Sequence, residues 1–107
     1  MKAGFRVKMA ANQGETVRLH AVIEGRVQGV GFRYFVEENA RILNLTGWVR
    51  NRWNGTIETV AESDRETLEE FLLALRRGPR SSQVSDVSVE WLPAAGEFNH
   101  FTIKMTE

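Results

Sequence analysis

From Val17 to Glu24 apolar and polar side chains alternate, so that Val17, Leu19, Ala21 and Ile23 share one face, the period-two pattern of a half-buried strand. A glycine-rich stretch, Gly25-Arg-Val-Gln-Gly-Val-Gly31, comes next. Phe32, Val36, Ala40 and Leu43 then recur at helical spacing with Phe35 beside them, predicting a helix to about Asn44, a residue type suited to a left-handed helix stop. Thr46 to Arg50 and Thr56 to Glu62 read as the strands of a hairpin. Its turn falls at Asn54-Gly55, two residues that tolerate positive φ. A second helix follows: Ser63 and Glu66 form a candidate capping box, and Leu68, Phe71, Leu72 and Leu75 make its apolar stripe. Arg76 and Arg77 complement its C-terminal dipole, and Gly78-Pro79 ends it. A strand from Val84 to Leu92 aligns Val87, Val89 and Trp91, Pro93 to Gly96 turns the chain, and Phe101, Ile103 and Met105 define a last strand.

The resulting order is β-α-β-β-α-β, with an additional strand before the end or in the tail. It predicts an α+β fold, the ferredoxin-like split βαβ sandwich, in which an antiparallel sheet carries two helices on one face. No internal repeat or linker interrupts it. Residues 1–15 read as a loosely ordered extension, and residues 16–107 as the domain. Within the extension, Phe5, Val7 and Met9 alternate with Arg6 and Lys8, which leaves a case for an added edge strand.

Composition narrows the classes of function. The chain has 107 residues and no cysteine, which excludes disulfides and thiolate metal sites. Lys+Arg and Asp+Glu are 14 each, for a formal net charge of +0, a balance that argues against a duplex-binding protein. No apolar run reaches membrane-spanning length, and the first residues lack the apolar stretch of a signal peptide. His20 and His100 have no carboxylate partners at ligand spacing, so no metal site is expected. Trp48, Trp53 and Trp91 read as packing or hairpin cover. Glu37, Glu38, Glu69 and Glu70 read as the solvated faces of the two helices.

The candidate chemistry lies in the glycine-rich stretch. Glycines let successive N–H groups turn inward into an anion-binding nest, and the stretch opens onto a helix N-terminus that favours negative charge. Arg33, in the first helical turn, can grip two phosphate oxygens at once. No Gly-Lys-Ser/Thr follows, and Tyr34 stands where a dinucleotide fingerprint needs its third glycine. On physical grounds alone the stretch is either an ordinary connecting turn or an anion site. A cation at a helix N-terminus favours the latter. Asn51, just before the hairpin turn, is likewise open to two readings: it caps its own backbone, or it serves chemistry.

Position for position, Gly25-Arg-Val-Gln-Gly-Val-Gly-Phe-Arg33 resembles the phosphate loop of acylphosphatases. Gly47-Trp-Val-Arg-Asn51 is similar to that family's second motif, followed by Gly55. Arg77-Gly78-Pro79 and Phe101-Thr-Ile103 also match in order and spacing, so the resemblance spans roughly Val17 to Met105. Asn44, Arg52 and Ser63 depart from residues frequent in the family, where glycine, threonine and glycine are common. The resemblance implies hydrolysis of the carboxyl-phosphate bond of acyl phosphates, with the phosphoryl group bound by Arg33 and the backbone amides of Gln28, Gly29, Val30, Gly31, Phe32 and Arg33. It implies that Asn51 holds the attacking water. It also implies a cytoplasmic monomer with no metal and no cofactor, no nucleic-acid or membrane partner, and a site that inorganic phosphate or sulfate can occupy.

A carboxylate leaves readily from phosphorus, which fits a site without an acid–base pair: positioning of water and stabilisation of charge suffice. Two rivals are non-catalytic. RNA-recognition modules share the strand and helix order but stack bases on strand aromatics, whereas Thr56-Ile-Glu-Thr-Val-Ala-Glu62 has none and carries two acids. A phosphate- or carbamoyl-phosphate-binding module derived from a larger maturation protein is the other.

Overall fold

A computed structural model describes residues 15–107. The expected extension and the possible edge strand at Phe5, Val7 and Met9 fall almost wholly outside the described residues. Strand β1 (Thr16–Arg26) leads through a short loop to helix α1 (Phe32–Ile42). The hairpin β2 (Thr46–Asn51) and β3 (Ile57–Asp64) follows, then α2 (Arg65–Arg77), β4 (Gln83–Pro93) and the three-residue β5 (Phe101–Ile103). The strands lie in the order β4-β1-β3-β2-β5. Pairing is antiparallel for the first four, as expected, while β5 runs parallel to β2 and makes the sheet mixed.

The period-two pattern sorts the sheet into two faces. Leu19, Ala21 and Ile23 of β1 stand opposite Ala61, Thr59 and Ile57 of β3, and all six are fully buried beneath the helices. From above, α1 contributes Phe32, Val36 and Ala40, and α2 contributes Leu68, Phe71 and Leu75. Burying a side chain of this size contributes about 1.5–3 kcal/mol, so this layer supplies most of the drive to fold. The opposite face carries Arg18 and His20 of β1, Trp48 and Arg50 of β2, and Glu58 and Glu62 of β3.

Several local expectations shift by a residue or two. α1 ends at Ile42, and Asn44 takes the left-handed conformation with φ 59°. The Leu45 N–H then reaches back to the Ala40 carbonyl at 2.9 Å, closing a Schellman-type stop. Gly25 and Arg26 belong to β1, which bulges at Glu24/Gly25 against β4, so the loop proper begins at Val27. The capping box at Ser63 and Glu66 is not formed. β3 continues to Asp64, whose carboxylate accepts from the Thr67 N–H at 2.8 Å and from its hydroxyl at 2.9 Å. An aspartate in the extended conformation is as good an N-cap as a serine.

The hairpin uses three residues rather than two. The Gly55 N–H bonds to the Arg52 carbonyl at 3.0 Å and the Arg52 N–H to the Thr56 carbonyl at 2.9 Å, with Gly55 alone at positive φ. Asn54 instead accepts from the Thr56 N–H and hydroxyl through its own side chain, the Asx geometry that stabilises a turn without a left-handed residue. Met105 lies beyond β5 and is 87% exposed, so the last apolar alternation ends at Ile103. Gly47 crosses so close to β3 that a Cβ there would overlap the Val60 carbonyl, which fixes glycine in the second motif.

Candidate active site

At the end of the sheet where β1 hands over to α1, the register aligns Asn51, Ile57, Ile23 and Val87 across four strands, all on the helix-covered face. Val27, just past β1, is buried and anchors the loop. Gln28, Gly29, Val30 and Gly31 then form the turn that enters α1. Gly31 is the N-cap at φ 79°, and Gly29 has φ 76°. Such values suit glycine, and a Cβ at either position would meet nothing within 4 Å. The glycines are therefore required by backbone conformation, and the loop's outer face is open.

No side chain caps α1, and its first turn holds no acid. Among the described residues, no backbone N–H from Gln28 to Tyr34 donates to a loop or turn partner, and only that of Phe35 closes onto Gly31. A row of unpaired N–H groups with the helix dipole behind it is a ready anion site. Arg33 lies in this first turn, half-buried and outside every ion pair among the described residues.

Asn51 ends β2. Its side-chain oxygen is buried and has no hydrogen-bond partner among the described residues, so it does not cap its own backbone. A buried amide oxygen left unpaired is costly, on the order of 1–3 kcal/mol, and such groups are uncommon away from functional sites.

What joins the two halves has no signature in the sequence. The Gln28 side-chain amide donates to the Arg52 carbonyl at 2.7 Å and to the Thr56 carbonyl at 2.9 Å. One residue of the loop is thereby bolted to both ends of the hairpin connection, immediately beyond Asn51. A glutamine in a glycine-rich loop looks like any polar loop residue in sequence; the bond spans 24 and 28 residues and has no local signature.

Behind the hairpin, on the open face, Glu58 is 7% exposed. Its carboxylate receives His20 Nε2 at 2.7 Å, Arg50 Nε at 3.0 Å and Arg52 at 2.9 Å. Burial alone would raise its pKa, but these donors together hold it below the usual glutamate value. Glu62 is similar: burial opposes ionisation, yet the Ala95 N–H, Arg18 and the Gly96 N–H keep its pKa low. His20, isolated in sequence, thus stands between Glu58 and Glu90. The Arg50 guanidinium and the Lys104 ammonium both lie over the Trp48 ring, 4.7 and 4.6 Å from its centre. Among the described residues, no three His, Asp or Glu side chains converge to hold a metal ion, and no helix is long and apolar enough to cross a membrane.

A ferredoxin-like sandwich with an open N–H loop at a helix start and an arginine in the first turn is an arrangement suited to binding a phosphate group. The acylphosphatase family model matches residues 19–103. The acylphosphatase of Pelotomaculum thermopropionicum is 46% identical over 86 residues, 80% of this chain and 94% of the relative. The crystal structure of acylphosphatase from Bacillus subtilis superposes with a TM-score of 0.80 at 39% identity, covering 82% of this chain and 98% of that one. Full-length HypF in its phosphate- and nucleotide-bound form gives a TM-score of 0.79 at 29% identity, covering 87% of this chain and 12% of that one. The chain belongs to the acylphosphatase family: it is a hydrolase whose substrates are acyl phosphates.

Proposed function

We propose that the phosphoryl group of an acyl phosphate sits on the N–H groups of Gln28 through Arg33, with the Arg33 guanidinium across its oxygens, while Asn51 holds the attacking water. The observation that carries this reading is the buried, unpartnered Asn51 oxygen at the same end and on the same face as the unpaired loop amides. That oxygen accepts a hydrogen bond from water and orients a lone pair toward phosphorus. Attack then proceeds in line: the bond from water oxygen to phosphorus forms as the bond to the carboxylate oxygen breaks, the carboxylate leaves as the anion, and the water's proton passes to a phosphoryl oxygen to give inorganic phosphate. Charge on the equatorial oxygens is met by fixed donors that do not reorganise. All positive charge in this scheme comes from the chain itself, so the reaction needs no metal. Inorganic phosphate and sulfate carry the same oxygens and compete for the loop. Every group in this scheme lies on one chain, so the expected monomer would suffice for it.

An RNA-binding reading is disfavoured by the open sheet face. Such modules stack bases there, but here its central strand presents Glu58 and Glu62, both held ionised. The test is hydrolysis of benzoyl phosphate in excess chelator. Arg33→Ala and Asn51→Ala should each lower turnover at least roughly 10²-fold, the usual effect of removing one transition-state donor, and Arg33→Ala should also weaken binding of inorganic phosphate. Near-normal turnover in a folded Asn51→Ala variant sinks the water-holding role.

A further inference from the structure

The sheet order assigns a place for the acyl half of the substrate. β1 feeds the phosphate loop, and β2, carrying Asn51, lies to one side of it. To the other side lies β4, and the segment that enters β4 touches the loop directly: the Ser81 hydroxyl donates to the Val30 carbonyl at 3.3 Å. In-line displacement puts the leaving group opposite the attacking water. With water on the β2 side, the carboxylate and its acyl chain point toward the β4 side.

A cleft lies there, between the start of α1 and the end of α2. Phe35 and Pro79 give it apolar walls, and Arg77, Arg80 and Ser82 give it polar ones. The Arg77 guanidinium sits 5.8 Å from the centre of the Phe35 ring, and Arg77 and Arg80 are exposed. Neither arginine joins an ion pair among the described residues. The cleft is thus suited to a flat or extended acyl chain ending in an anionic group.

Building on the in-line reading above, we propose that Phe35, Arg77 and Arg80 form an acyl-chain subsite that selects acyl phosphates bearing a second anionic group, a carboxylate or a phosphate. The phosphate loop fixes the reacting end, and the two guanidinia bind the far end.

The test compares 4-carboxybenzoyl phosphate with benzoyl phosphate, equal in shape around phosphorus and different only in the distal carboxylate. For the wild-type chain, kcat/KM should favour the carboxylated substrate by roughly fivefold to tenfold at low salt, a modest factor because both arginines are solvent-exposed. The preference should shrink as salt screens it. Arg77→Gln/Arg80→Gln should bring the ratio to about one, chiefly through KM of the carboxylated substrate. Arg76→Gln, which removes one neighbouring charge outside the cleft, should leave the ratio intact. A wild-type ratio near one, a ratio that survives the double substitution, or an equal fall in Arg76→Gln would overturn the subsite. Asn51→Ala is the separate arm for the in-line reading: it should depress both substrates alike, and unchanged turnover there overturns that reading whatever the ratio does.

Discussion

Replacing Gln28 by alanine removes two hydrogen bonds and nothing else of consequence. The amide nitrogen lies 2.7 Å from the Arg52 carbonyl and 2.9 Å from the Thr56 carbonyl. Both acceptors keep a second partner, because the Gly55 N–H bonds to Arg52 and the Arg52 N–H to Thr56. No carbonyl is left bare, so the penalty for an unsatisfied buried group does not apply. Two net hydrogen bonds are worth about 2 kcal/mol together. In a domain of this size that lowers Tm by roughly 10 °C, and the urea midpoint should fall with no change in m, since the exposed surface on unfolding is the same. Activity should suffer separately. The amide sets the glycine loop, proposed above as the phosphoryl site, against the hairpin that carries Asn51. Displacement of reacting groups by about 1 Å can cost on the order of 10²-fold, so kcat on benzoyl phosphate should fall between tenfold and that limit at a temperature where the variant is fully folded. Phosphate binding, assigned above to the loop and Arg33 and not to the hairpin, should change less. Gln28→Glu is the sharper variant, because a carboxylate facing two carbonyls replaces both attractions by repulsion and should be the less stable of the two at neutral pH. A folded Gln28→Ala variant with kcat within twofold of wild type would refute the coupling.

Two further outcomes concern the scaffold. Glu58, Glu62 and Asp64 all have folded pKa values below their ordinary ones, so each contributes stability that is complete above its unfolded value and is lost as pH falls through its folded value. Urea midpoints should therefore decline as pH drops below the ordinary glutamate value of 4.5, and Glu58→Gln should flatten that decline; a profile level down to pH 3 would contradict the assignment. Asp64→Ala should cost about 1 kcal/mol by loss of the helix cap, measured by urea unfolding, whereas Ser63→Ala should be nearly silent; the reverse order would restore the cap to Ser63.

The parts of this molecule that were legible in sequence are those set by local periodicity. Leu19, Ala21 and Ile23 announce a half-buried strand because alternate side chains face opposite ways, and the stripe from Leu68 to Leu75 announces α2 for the same kind of reason. Ser63 and Asp64 are adjacent and chemically similar caps, so only the length of β3 decides between them, and that length is set by pairing with β1 rather than by the local residues. The parallel seating of β5 on β2 was equally hidden, since three residues carry too little pattern to state a direction. At the site, the glycines and Arg33 were visible because a phosphate loop is one continuous segment. Asn51 needed the family resemblance to be singled out, because its distinguishing property, a buried oxygen with no partner, exists only after folding. The roles of Gln28 and Glu58 depend wholly on contacts across the sheet.

Those contacts explain why the two faces of the sheet are not independent. Arg52 belongs to both. Its guanidinium is held by Glu58 on the open face, and its carbonyl receives Gln28 on the side of the phosphate loop. Glu58 in turn gathers Arg50 of β2 and His20 of β1, so one ionised carboxylate on the central strand fixes the base of the hairpin from behind. The polar cluster that removes this face from use as a nucleic-acid platform thereby stiffens the segment that carries Asn51. In the proposed reaction the participating groups are few and none needs to titrate, so the demand falls on rigidity. Buried charge is an expensive way to stabilise a fold, since desolvation offsets much of the attraction. Its geometric precision is what an apolar pair of the same volume would lack at the one place where the hairpin must not move.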